Sequence, residues 1–540
     1  MALRASQTNY VPLPDWCTPA DRLVWDTSTP DGADRKFRRF IFSRFPDSFA
    51  VALANQYRRT YEAEGLRTAN RQLLDINSSL SPTALRLASS DDDLVRFAER
   101  RARGFRLAAA RLRDTTIAWP CLARQARAFR VQPPQGRGLT PAGGIARLGD
   151  ERWWRRAVRT SHGRTVERVA ILLGEVHRRA GIYASDETVK RRREQKRRNR
   201  RILEALLAVN ELDQEFTLQE LSDLSVSNPV IRRGELMTRI AGFEILAQAR
   251  GDRAEFYTIT CPSRMHARFA HDGQPNPKYD GTTPRQAQEY LAKQWAKVRA
   301  KLDRQNIGIY GLRIAEPQHD GTPHWHLILF MAPDHVEPVR QICRGYFLQA
   351  DSDEPGAQEH RFKAVAIDRR RGTAAGYVAK YIAKNVDGFG LDSDLYGKDS
   401  TSSAERVDAW KSTWGIRQFQ QIGGPPVSIW RELRRIRAGA PEGILADAWK
   451  AADSGEWADF VMVMGGPMAT RKEQPINLLK VWSDERGRYG EPKGYRIKGV
   501  YAGPVEWPTR IHQWRVVRTD SVPSTSWNFV NNCTQLYQRC

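Results

Sequence analysis

Cysteine is scarce in this sequence: six residues among 540, scattered, with no CxxC pair. That pattern excludes a disulfide-stapled scaffold and fits a reducing cytoplasm. Long apolar runs are missing too. The longest, such as Leu327 to Met331, are strand-sized, so no membrane partner is expected. The opening MALRASQTNYVPLP lacks the apolar core of a secretory leader. No GxxxxGK[ST] surrounds Gly397-Lys398, so neither a phosphate-binding loop nor an ATP-driven motor is expected. No internal repeat is visible. Negative charge is in deficit: 62 Asp and Glu face 86 Lys and Arg, a net +24. A pI near 10.0 points to a polyanionic partner, commonly nucleic acid.

What is present divides along the chain. Apolar residues, at 41%, suffice for sizeable cores, and the length implies several domains. Residues 1–185 read as a largely helical basic region, with a helix over 95–114 and a Pro/Gly-rich loop over 133–144. Residues 186–250 form a basic helical segment. It holds the densest charge, KRRREQKRRNRR from Lys190 to Arg201. Clustered arginines such as Arg191, Arg192, Arg193, Arg197 and Arg198 can displace counterions from DNA phosphates. Asn228-Pro229 then opens a helix that Gly251 closes.

Over 251–390 the pattern changes to α+β. EFYTIT (255–260) alternates as a strand, 284–304 is an amphipathic helix, and 306–317 is a strand. QHDGT (318–322) is a turn with an Asp-Gly signal, and PHWHLILFM (323–331) is the returning strand. A helix over 334–350, a strand over 361–368 and a helix over 373–386 follow. This order predicts a ferredoxin-like antiparallel sheet with helices covering one face. Residues 391–475 are a Trp/Arg-bearing extension, and 476–540 a tail of unknown role.

Two constellations carry chemistry. His324 and His326, two apart on a strand, point the same way and can share a cation. Glu316 ends the preceding strand and should face His324 across the hairpin, with Gln318 or His319 as alternative third ligands. Two imidazoles and a carboxylate suit Mg²⁺ or Mn²⁺. Tyr377 and Tyr381 lie one helical turn apart, beside Lys380 and Lys384. A phenol can attack phosphorus where lysines stabilise its charge and a metal polarises the phosphate. Trp414 and Arg417, with Trp430, are candidates for stacking on bases; Trp430 reads more readily as core.

These motifs together resemble a known family. PHWHLILF resembles the His-hydrophobic-His motif of HUH endonucleases, FYTITCPS their first motif, and YVAKYIAKN their two-tyrosine third motif. With NPVIRRGELMTRIAGFE, WGIRQFQQIGGPPVSIWRELRR and FVMVMGGP, the chain resembles the replication gene A protein family of tailed bacteriophages over roughly 225–472. The resemblance implies an HUH catalytic domain over 251–390 acting in a bacterial host cytoplasm. It implies rolling-circle initiation on single-stranded or supercoiled origin DNA, with a host helicase and polymerase as partners. Tyr377 and Tyr381 would be the nucleophiles, and His324 and His326 ligands to Mg²⁺ or Mn²⁺. A plasmid relaxase or transposase on the same site, a zinc hydrolase and a non-catalytic DNA-binding regulator are the competing readings.

Overall fold

The computed structural model describes residues 32–80, 85–112, 114–136, 138–387, 400–437 and 439–518. Gly397-Lys398 lies outside the described residues. The chain divides into two units, Met1–Arg137 with Gly144–Glu175, and Gly138–Gly143 with Val176–Cys540.

The described elements of the first unit are helices. The helix expected over 95–114 runs over Asp91–Arg111. It starts earlier because Ser90 and Asp93 close a capping box, each side chain accepting from the other's backbone N–H. Phe97, Phe105, Phe129 and Trp154 interlock around it, with ring centroids 5.1 to 6.5 Å apart. The loop expected over 133–144 ends at Pro141, which opens the helix Pro141–Leu148.

The second unit is built on a sheet. We number its relevant elements α1 (Asp186–Glu204), α2 (Pro229–Arg250), β1 (Arg253–Ile259), α3 (Pro284–Arg304), β2 (Tyr310–Pro317), β3 (Pro323–Met331), α4 (Val336–Phe347), β4 (Phe362–Ala366), α5 (Ala374–Val386), α6 (Ser400–Trp414), β5 (Phe419–Ile422), β6 (Ile476–Arg486) and β7 (Pro492–Ala502). The strand order is β4-β1-β3-β2-β5, antiparallel throughout. β1, α3, β2, β3, α4 and β4 follow the order expected from sequence. The edge strand β5 was not foreseen. FQQI is short and polar, and pairing with β2 rather than intrinsic pattern makes it a strand.

The expectation that helices cover one face is corrected: both faces are covered. Odd positions of β3 face α3 and α4; the Trp325 indole donates to Gln288 of α3 at 3.0 Å. Even positions face α2 and α5, where Phe256, Leu312, Ile314, Ile328 and Phe330 join Leu236, Ile240, Phe243, Val378 and Ile382 in one core. Helix α2 lies outside the βαββαβ order, so its contribution to the second face was not read from that order.

The β2–β3 turn holds the hairpin register. Gln318 N–H donates to Thr322 O at 2.8 Å, and Gly321 sits at φ +82, a conformation suited to glycine. The Trp410 indole of α6 donates to the Gly321 carbonyl at 2.7 Å, clamping the turn. Among the described residues no helix is long and apolar enough to cross a membrane.

Candidate active site

Strand alternation brings the candidate ligands together. Glu316 of β2 pairs with His324 of β3, as the hairpin reading expected, and His326 lies two residues on along the same face. The two imidazole Nε2 atoms are 2.8 Å apart, and His326 Nε2 lies 3.8 Å from Glu316 Oε2. One donor atom from each of Glu316, His324 and His326 falls within 4.8 Å of the others. Ligands cis to one another around a small divalent ion stand about 3 Å apart, so this donor set fits such an ion. His319 is not part of the cluster.

The surroundings keep the donors in ligand form. Burial, with the neighbouring His326, pushes the His324 pKa well below its ordinary value. Burial, with the charges of Lys384 and Lys380, pushes His326 down to about 3. Both rings are therefore neutral near pH 7, as metal ligation requires. Thr258 Oγ1 lies 3.1 Å from His326 Nδ1; with that nitrogen donating to Thr258, Nε2 presents its lone pair to the cluster. Glu316 and His326 are buried, whereas His324 keeps partial exposure.

Helix α5 packs over this cluster. The Tyr381 ring lies 4.4 Å from the His326 ring, and Tyr377 lies 6.4 Å from Tyr381 and 4.7 Å from Phe256. Tyr377 is 38% exposed. Tyr381 is half-buried; burial first, then the neighbouring Tyr377 and Glu316, raise its pKa, so it is a neutral phenol at pH 7. Lys380 Nζ stands over both rings, 5.3 Å from Tyr377 and 5.1 Å from Tyr381, where its charge can stabilise a phenolate.

Lys384 sits elsewhere than expected. It is buried, with Nζ 3.1 Å from Glu316 Oε2 and 5.0 Å from the Tyr183 ring. The reading of Lys384 as a phenolate stabiliser is therefore corrected: it neutralises and positions the carboxylate. Asn385 donates to Glu316 Oε1 and also to the Tyr381 carbonyl, and Gln418 donates to Asn385 Oδ1 at 3.0 Å. One buried network thus joins the tyrosine helix to the acidic donor. Asn385 follows Tyr381 by four residues, so helical spacing could have revealed it. Gln418 carries no comparable signal.

The N-terminus of α5 is also held from outside. The buried Glu244 of α2 accepts from Ala374 N at 2.8 Å and Ala375 N at 3.0 Å, and Thr373 caps the same turn. A carboxylate at the positive end of a helix stabilises it. Glu244→Gln should cost about 1–2 kcal/mol, seen as a lower urea midpoint; an unchanged midpoint would refute this role.

The candidate DNA contacts divide. Arg192 of α1 pairs with Asp408 of α6 at 2.8 Å, Lys196 pairs with Asp408 at 3.0 Å, and Arg193 pairs with Glu405. Arg191 pairs with Glu187 at 2.6 Å. The reading of the whole run as a phosphate-tracking surface is corrected, because Arg192 and Arg193 dock α6. Arg197 is exposed, Arg198 partly so, and Arg417 is exposed. Trp414 is 2% exposed, so its indole offers no face to a base and its stacking role is withdrawn; Trp430 is core.

Asp408 gives a pH signature. Burial alone would raise its pKa, but Lys411, Arg192 and Lys196 outweigh burial and hold it far below the ordinary 3.8. Its contribution is complete above about pH 4 and is lost as pH falls further. Asp408→Asn should therefore cost about 2 kcal/mol at pH 7, with the gap to wild type narrowing below pH 4 in denaturation curves. A gap that does not vary with pH would contradict the ion-pair account.

The profile of the bacteriophage replication gene A protein family matches residues 96–389. The chain belongs to this family. The replication gene A protein of Escherichia phage 186 is 42% identical over 439 residues, covering 75% of this chain and 63% of that protein. The replication gene A protein of Escherichia phage P2 is 36% identical over 429 residues, covering 73% and 56%. A probable replication endonuclease from a prophage-like region of Salmonella typhimurium is 34% identical over 461 residues, covering 79% and 56%. This gene A family chain thus spans between half and two thirds of the length of these relatives. No solved structure matches it. The matched span contains both histidines, Glu316 and both tyrosines of the cluster.

Proposed function

We propose that this protein initiates phage DNA replication as a single-strand endonuclease of the HUH type, nicking origin DNA through a tyrosine and later rejoining the ends. The observation that carries this reading is the packing of Tyr381 against His326, with Tyr377 one turn away and Lys380 over both rings. The sheet order β4-β1-β3-β2 with βαββαβ connectivity supports the ferredoxin-like fold on which such sites are built.

Glu316, His324 and His326 would hold the Mg²⁺ or Mn²⁺. When bound, the ion supplies Lewis-acid polarisation of the scissile phosphate. Lys384 and Asn385 fix Glu316, and the Thr258 hydroxyl, 3.1 Å from His326 Nδ1, holds the orientation of the His326 ring. The phenolic oxygen of one tyrosine forms the bond to phosphorus as the bond to the 3′ oxygen breaks. The phenol gives up its proton, and the 3′ oxygen leaves as a hydroxyl after taking one up. Lys380 holds the developing phenolate. The 5′ phosphate stays on the protein while the free 3′ hydroxyl primes a host polymerase behind a host helicase. The second tyrosine cleaves the regenerated site, and the displaced strand's 3′ hydroxyl attacks the first phosphotyrosine to close the circle.

The test is relaxation of supercoiled plasmid carrying the phage origin, with Mg²⁺, Mn²⁺ or EDTA. Nicking is expected with either ion and should be abolished by EDTA and by His324→Ala/His326→Ala. Nicking that leaves no protein on the DNA would favour a hydrolase. Binding without nicking would favour a regulator.

A further inference from the structure

Strands β6 and β7 run antiparallel as a ribbon with an anchored base and an open tip. Ile476, Val500 and Ala502 at the base are buried in the core shared with the main sheet. From Lys480 outward most of the β6 positions are exposed. Trp482 opposes Tyr495 in the register, so the two share a face. They are 49% and 69% exposed, and their rings meet edge-on at 5.0 Å. The Trp482 indole donates to Asp484 Oδ1 at 2.6 Å, which restricts its rotation.

The charge around this pair is mostly positive. Residues 476–502 hold six Lys and Arg against three Asp and Glu. Lys480, Arg496 and Lys498 are exposed, and Glu485 pairs with Lys493 at 2.6 Å and Arg496 at 3.0 Å. A short third strand, Val505–Pro508, pairs with β7 only at its base, over Gly499–Ala502, so the outer part is two-stranded and marginal by itself, and large exposed aromatics there are a liability unless something covers them. Lysine is depleted from the centres of protein interfaces, which argues against an apolar protein face as the cover. Aromatics flanked by cations instead suit a single strand of nucleic acid, with bases on the rings and phosphates on the lysines and arginines. Duplex bases are already stacked on one another and offer no free face.

We propose that the β6–β7 ribbon is a binding surface for single-stranded DNA, with Trp482 and Tyr495 stacking on bases and with Lys480, on the same face as Trp482, and Lys498, at the adjoining bulge, meeting the backbone phosphates. The inference rests on the reading of this chain as a protein that acts on DNA, but not on the tyrosine chemistry. The ribbon would hold strand flanking the cleaved site.

The test uses the full chain and fluorescence anisotropy on a labelled thymidine strand of about 20 nucleotides, enough to span such a site. Trp482→Ala/Tyr495→Ala should raise Kd about tenfold or more, while Trp482→Phe/Tyr495→Phe, which keeps the ring faces, should stay within about twofold of wild type. Nicking of a short origin oligonucleotide limited to the cleavage site should be unchanged in both variants. Equal affinity of the alanine variant and wild type would overturn the proposal, as would equal losses in the alanine and phenylalanine variants. An equal loss on duplex of the same length would overturn the single-strand assignment. If wild type fails to nick, the tyrosine mechanism fails, yet the affinity comparison still decides the ribbon's role.

Discussion

Tyr377→Phe/Tyr381→Phe protein should form no covalent adduct with origin single strand, with cleavage reduced by roughly 10⁴-fold or more. The substitution removes two hydroxyls and keeps both rings, so the contacts with Phe256 and His326 survive and the urea midpoint should hardly move. Each single variant should retain cleavage through the remaining tyrosine but lose circle closure, which needs both. A labelled suicide substrate run on a denaturing gel reads the adduct directly. An adduct of wild-type intensity in the double variant would place the nucleophile elsewhere.

Lys384→Met should have the largest effect on stability. The Lys384 and Glu316 side chains are 5% and 0% exposed, and removing the cation leaves a buried carboxylate held by Asn385 beside the neutral His326 ring. Breaking a buried pair from one side costs about 3–5 kcal/mol. The Lys384→Met/Glu316→Gln double variant should recover much of that loss, because no uncompensated charge remains, yet it should stay inactive for want of the carboxylate. Denaturant midpoints of the two singles and the double give the coupling. Additive losses would show that the pair does not act as a unit.

Much of the site was legible because it depends on local periodicity. Alternation along β3 placed His324 and His326 on one face, the short turn placed Glu316 opposite His324, and helical spacing aligned Tyr377 with Tyr381. What was illegible depends on partners distant in sequence. The Lys384 motif position gave its presence but not its direction, which is set by Glu316, 68 residues earlier. Arg192 and Arg193 read as free charge because Asp408 and Glu405 lie more than 200 residues away. Trp414 read as a surface aromatic because nothing local shows that α6 packs inward. The edge strand β5 and the helices on the second sheet face are likewise products of tertiary pairing rather than of pattern.

The most direct measurement is tandem mass spectrometry of the trapped protein–DNA adduct after nuclease trimming. The account predicts a nucleotide phosphate on Tyr377 or Tyr381 within the α5 peptide, formed only when Mg²⁺ or Mn²⁺ is supplied. A nucleotide on any other residue, or cleaved DNA with no modified peptide, would contradict it.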